Sequence, residues 1–172
     1  MAEILLTAMN QHDLELVICR APEFYGPNHT QSITNTLVFD NFKNGRQVKV
    51  PISDTTLRTL IWTPDASRAM ALIGNTADAY NQTWHLPCDS SVTYQTLIHK
   101  IEIITKQSVN YQVIPMWQFK LAAIFNKTAR ELGELLPRYQ VDNLFSSDKF
   151  KQRFPDFTVT SLDEGIRTII NE

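Results

Sequence analysis

Two observations predict an α/β layered protein with an incomplete parallel sheet. Short segments of strand character, an apolar run at 14–19, alternating ones at 46–50 and 57–62, and short ones at 83–86 and 111–114, alternate with longer segments whose apolar residues recur at helical spacing. The first run has no strand–helix–strand partner before it in the chain. Its hydrogen bonds are therefore expected from later strands, from a second chain or from residues that have been removed.

Each element follows from local pattern. Ile4, Leu5 and Ala8 suggest a helix over 2–11, and the polar breaker Asn10-Gln-His-Asp13 separates it from the buried strand 14–19. A second helix is expected over 33–43, with Leu37 and Phe42 among its apolar positions. Asn44-Gly45 ends it, because either residue tolerates the left-handed conformation. Strands 46–50 and 57–62 follow, separated by the turn Pro51-Ile-Ser-Asp54. Thr63 then reads as an N-cap and Pro64 as the first helical residue. Ala66, Ala69, Met70 and Ile73 form the apolar stripe and Gly74 the stop.

Strand 83–86 leads to a helix from about Thr93, with Tyr94, Leu97, Ile98, Ile101 and Ile104 on one face. After strand 111–114, the helical region between Pro115 and Pro137 carries Trp117, Phe119, Leu121, Ile124 and Phe125, which are expected to be buried. Ser161 and Glu164 form a capping box for a last helix carrying Leu162, Ile166, Ile169 and Ile170. Residues 1–172 are read as one domain.

Charge excludes several partners. Sixteen basic and eighteen acidic residues give a net charge of −2 with no basic run, so neither nucleic acid nor a membrane surface is an expected partner. No apolar stretch approaches the ~20 residues that span a bilayer, and the first residues lack the basic start of a signal peptide; a cytoplasmic location is the expectation. Cys19 and Cys88 are too few for a disulfide framework, and Cys19 is expected to pack as a small hydrophobe. His85, Cys88 and Asp89 lack a second ligand pair at zinc spacing, so no metal is expected. No Gly-x-Ser-x-Gly occurs to support a hydrolase.

Four segments in order carry a family resemblance. Arg20-Ala-Pro-Glu-Phe-Tyr-Gly-Pro27, after the first strand, resembles the segment after the sixth strand of extended short-chain dehydrogenase/reductase enzymes, the NAD(P)-dependent epimerases and dehydratases. Arg58-Thr-Leu-Ile-Trp-Thr-Pro-Asp65 is similar to the family's Arg-x-x-x-x-Val-x-Asp segment. Gln82-Thr-Trp-His-Leu-Pro87 resembles a later strand, and Ser147-Asp-Lys-Phe150 with Leu162-Asp-Glu-Gly-Ile166 resembles the closing segment. The resemblance implies the C-terminal part of a Rossmann-like fold, an incomplete parallel sheet with a small substrate-binding subdomain.

What the family uses for chemistry is missing. The five glycines, at 26, 45, 74, 133 and 165, make no Gly-rich pyrophosphate turn, and no Tyr-x-x-x-Lys pair occurs, so no catalytic residue is assigned. The family's Lys-x-x-Ala-Glu continuation would place the lysine about two residues before Met1, which suggests a start just past the dyad. The resemblance places Pro22, Phe24 and Tyr25 near the nicotinamide end of NAD or NADP. Arg58 is the candidate for gripping a substrate phosphate or carboxylate in two-point fashion, and His29, beside the Tyr-Gly-Pro turn, is a second substrate-side candidate. Arg20 and Asp65 are read as structural, Asp65 as a negative charge at a helix start.

Three readings follow: the substrate-side portion of an NAD(P)-dependent enzyme acting on a sugar-nucleotide-like or other carbonyl substrate, a module that complements a separate nucleotide-binding half, and an inert remnant. Exposed strand edges and helix faces point to a homo-oligomer or a complementary half as partner.

Overall fold

Strands that neighbour one another in sequence do not pair in this protein; each joins a distant one. The computed structural model describes residues 4, 5, 7, 8, 15–28, 30–125, 130, 133 and 135–172. Among these, β1 (Val17–Arg20) pairs with β5 (Gln82–His85), β2 (Glu23–Tyr25) with β4 (Leu60–Trp62) and β3 (Val48–Pro51) with β6 (Tyr111–Ile114), all in parallel. The first strand thus takes its hydrogen bonds from a later one. Strands 46–50 and 57–62, adjacent in sequence, form no hairpin and take different partners. Of the helix expected over 2–11, Ile4, Leu5, Thr7 and Ala8 are helical and the remainder lies outside the described residues.

The helix expected over 33–43 forms. Its middle, Asn35–Phe39, is widened into a π-turn that runs into α1 (Asp40–Lys43). Gly45 takes a φ of 63° just beyond it, as the stop signal requires. α2 (Thr63–Gly74) begins one residue earlier than expected. Trp62 occupies the cap position and Thr63 lies inside the first turn, where its hydroxyl sits 3.2 Å from that of Thr30 instead of accepting from its own helix. α3 (Tyr94–Thr105) is capped by Thr93, whose hydroxyl accepts the Thr96 N–H at 3.1 Å. α4 (Met116–Phe125) and α5 (Asp148–Arg153) follow, and α6 (Leu162–Ile170) is capped as read, with Ser161 Oγ accepting the Glu164 N–H at 3.3 Å.

Two cores lie on opposite faces of the strands. Leu60 and Trp62 of β4 pack into one with Tyr25, Phe39, Leu97 and Ile166, while Ile61 between them packs into the other with Ala69, Ile73, Trp84 and Phe150. A strand buried on both faces is what a parallel sheet between helix layers demands. Cys19 is half-buried against the second core, as a small hydrophobe would be. α4 departs from expectation. Trp117, Leu121 and Ile124 are 62%, 53% and 71% exposed, so this stripe covers nothing among the described residues, although Phe119 reaches the first core.

α6 closes the first core through a glycine. A Cβ at Gly165 would lie 2.8 Å from the Tyr25 hydroxyl and 3.2 Å from Trp62 Cε3. Gly165→Ala is therefore expected to cost about 1–3 kcal/mol by overpacking, read as a lowered urea midpoint.

Candidate functional site

Sheet register explains where the candidate residues fall. Glu23 stands opposite Leu60, and Arg58 lies two residues before Leu60, so both side chains share the face that carries the first core. Arg58 is 1% exposed, and its Nε donates to Glu23 Oε2 at 3.0 Å. Its Nη1 donates to the Arg138 carbonyl at 3.2 Å and its guanidinium stacks 3.9 Å above the Tyr139 ring. Nη2 is buried with no hydrogen-bond partner among the described residues. The other Glu23 oxygen accepts from Thr34 Oγ1 at 2.7 Å and from the Tyr94 hydroxyl at 3.0 Å. The space beside Arg58, Leu60, Val92 and Tyr94 does not admit a water.

The remaining candidates separate by exposure. Tyr25 is 2% exposed, its ring 5.1 Å from Trp62 and 6.5 Å from Phe39, so its position is that of a core residue. Phe24 points to the opposite sheet face and is 41% exposed, and Pro22 is half-buried beside it at the carboxyl end of β1. His29 lies outside the described residues. Arg20 is exposed and makes no ion pair among the described residues. Asp65 is structural, by a different contact from the one expected: it accepts from the Thr160 N–H at 2.6 Å and the Thr160 hydroxyl at 3.0 Å, tying α2 to the segment before α6. No group of metal-ligating side chains occurs among the described residues; His85 Nδ1 lies 2.8 Å from the Ser146 carbonyl instead.

A cavity of about 420 Å³ opens between the segment 31–37 and Pro51, the last residue of β3. Its walls come from Ile33, Leu37, Pro51, Phe119 and Leu136, with Gln31, Ser32 and Thr36 as polar points. Size and apolar lining match a small-molecule site. Sequence reading missed it, since its wall is the π-turn and no residue type announces a π-turn. It also missed Glu23, a lone carboxylate in an apolar strand, whose partner is identifiable only once β2 is known to pair with β4.

A dinucleotide cradle is a different matter. Gly26, the glycine at the strand ends, has no open space for a Cβ: one would collide with the Thr63 hydroxyl. Its N–H and carbonyl are held by Asn35, at 3.2 and 2.7 Å, instead of facing a ligand. The described residues do not by themselves fit the pyrophosphate of NAD or NADP.

Three buried phenols give the protein an alkaline limit. Burial, reinforced for Tyr25 by Asp89, Asp65 and Glu164 and for Tyr94 and Tyr139 by Glu23, raises all three above the ordinary tyrosine value of 10.0. The unfolded chain releases these protons near pH 10 while the folded chain retains them. Stability is therefore full below pH 10 and declines above it, by about 1.4 kcal/mol per pH unit for each phenol. Urea midpoints measured from pH 8 to 11 check this, and a flat profile would contradict it.

No protein-family model and no curated protein matches the chain. Solved structures do match. The UDP-glucuronic acid 4-epimerase of Bacillus cereus, in complex with UDP-glucuronic acid and NAD, superposes with a TM-score of 0.73 at 12% identity, over 98% of this chain and 48% of the other. The UDP-glucose 4-epimerase of Thermus thermophilus, with NAD, gives 0.73 at 14% identity over 99% and 50%. That of Thermotoga maritima, with UDP-glucose, gives 0.70 at 16% over 98% and 49%. The chain thus has the fold of about half of an epimerase and spans about half the length of the structures it matches, in agreement with the expected C-terminal part of that fold.

Proposed function

We propose that this chain is the substrate-side portion of an NAD(P)-dependent epimerase, dehydratase or reductase-like protein, without catalysis of its own. The observation that carries this reading is the agreement of the whole chain with about half of NAD-bound epimerases, joined to the lack of a Gly-rich turn and a Tyr-x-x-x-Lys pair. In this reading Pro22 and Phe24 face the nicotinamide end of a dinucleotide held elsewhere. Tyr25 and Arg58, both buried, support that surface from beneath, and His29 belongs to the substrate side by its place in the sequence. The small-molecule substrate occupies the cavity beside the π-turn. The working location is the cytoplasm; among the described residues no helix is long and apolar enough to cross a membrane.

A partner completes the reading, either a nucleotide-binding half or a second copy. Trp117, Leu121 and Ile124 form an uncovered stripe, and β1 has one strand neighbour among the described residues. Light scattering at micromolar concentration is expected to give more than one chain per particle, and a clean monomer would remove the second-copy alternative.

The test is an NADH titration, followed by fluorescence, of the isolated chain and of the product translated from the transcript that includes the sequence 5′ of the Met1 codon. Binding by the longer product alone is expected. Saturable binding and turnover by the isolated chain would overturn the reading, and a 5′ sequence with no Gly-rich turn would leave the complementing module and the inert remnant.

A further inference from the structure

We infer that the cavity beside the π-turn takes an uncharged, mainly apolar small molecule bearing a polar group, and not a nucleotide diphosphate. Calling that molecule a substrate rests on the reading above; its chemical class rests on the cavity alone.

The first argument is the lining. None of the described residues around the cavity is ionisable; Gln31, Ser32 and Thr36 supply neutral hydrogen-bonding groups among apolar side chains. A diphosphate seated there would lose hydration with no cation among the described lining residues to offset it, a cost of several kcal/mol. A ketone or hydroxyl on a ring compound would lose little and would find a donor or acceptor. The volume equals that of roughly 14 waters at about 30 Å³ each, enough for one or two rings.

A second argument comes from Arg58, the residue whose place in the sequence suggests phosphate recognition. Its Nε is committed to Glu23, its Nη1 to the Arg138 carbonyl and its face to the Tyr139 ring; Nη2 has no partner among the described residues, and the side chain as a whole is 1% exposed. Handing it to a phosphate would break the ion pair and leave Glu23, itself 8% exposed, as an unpaired buried charge. Glu23 also shapes the cavity. It holds Thr34, the residue that enters the π-turn, while Asn35 clamps the turn to Gly26 and leaves Thr36 and Leu37 as the wall. The carboxylate that neutralises the arginine therefore also fixes the apolar site.

The experiment is calorimetric titration of the full chain with 1-indanone and 2-naphthol as uncharged ring probes, and with UDP-glucose and inorganic pyrophosphate as anionic ones. Saturable binding of an uncharged probe is expected, with none of either anion. Thr36 is exposed, so Thr36→Trp should fill the cavity and weaken the probe at least about ten-fold with an unchanged melting temperature. Thr36→Arg, which carries a charge into the same space, should do likewise and serves if the tryptophan variant fails to fold. Saturable binding of UDP-glucose or pyrophosphate overturns the inference. So does binding of no probe, or uncharged-probe binding indifferent to both variants. The NADH result is independent: dinucleotide binding by the isolated chain would remove the functional reading and leave the ring-probe result standing.

Discussion

Arg58→Ala is expected to destabilise the protein by about 3–5 kcal/mol, because it leaves the Glu23 carboxylate buried without its cation. Against a typical total of about 5–15 kcal/mol this is a large fraction, and for a chain of this length it lowers the melting temperature by roughly 6–20 °C. The pair is internal, so high salt should not reproduce the effect as it would for a surface bridge. Removing both charges together tests the cause. Glu23→Leu with Arg58→Met should recover most of the loss, since a buried pair replaced by apolar residues of similar volume is often neutral or better. A role in gripping phosphate predicts the reverse pattern, with ordinary stability for Arg58→Ala and loss of an anion-dependent thermal shift. Urea unfolding of the parent, both single variants and the double variant separates the two.

Tyr25→Ala should cost about 3–5 kcal/mol, the range for deleting a large buried ring. The ring fills the space between Phe39, Trp62 and Gly165, and none of these can follow it: Phe39 belongs to the π-turn, and Gly165 has no side chain to extend. Tyr25→Phe keeps the packing and should stay within about 1 kcal/mol of the parent. Direct contact with a nicotinamide would instead leave Tyr25→Ala stable and damage dinucleotide binding in the completed protein. Denaturation of the two variants side by side decides which role the residue has.

Most local signals in the sequence were reliable here, because their physics is local. The Ala66, Ala69 and Ile73 positions and stop of α2, the Ser161 cap and the Asn44-Gly45 terminus depend on residues within a turn or two and appear in the fold, while Met70 of the same stripe is 52% exposed and the cap expected at Thr63 falls on Trp62. Pairing is not local. Nothing in 46–50 or 57–62 says that one strand goes to β6 and the other to β2, and the site depends on that choice. Arg58 reads as a ligand-gripping residue from its own segment, and only the register shows that Glu23 lies beside it. Ile52 shows the same limit at one residue. It is β-branched yet holds a φ of 65°, in a turn whose sequence reads as ordinary, and its N–H is committed to the Ile114 carbonyl at 2.9 Å. The α4 stripe was expected to be buried because apolar content demands a cover, but content cannot say whether the cover belongs to the same chain.

The parallel pairing has a consequence for how the protein is made. The Leu16 N–H at the start of β1 donates to Asn81, 65 residues further on, and β1 itself waits for β5 over a similar distance. At a synthesis rate of ~5–20 residues per second, Val17–Arg20 is translated about 3–13 s before its partner strand. During that interval the apolar Val17 and Ile18 lack the one strand neighbour they have among the described residues.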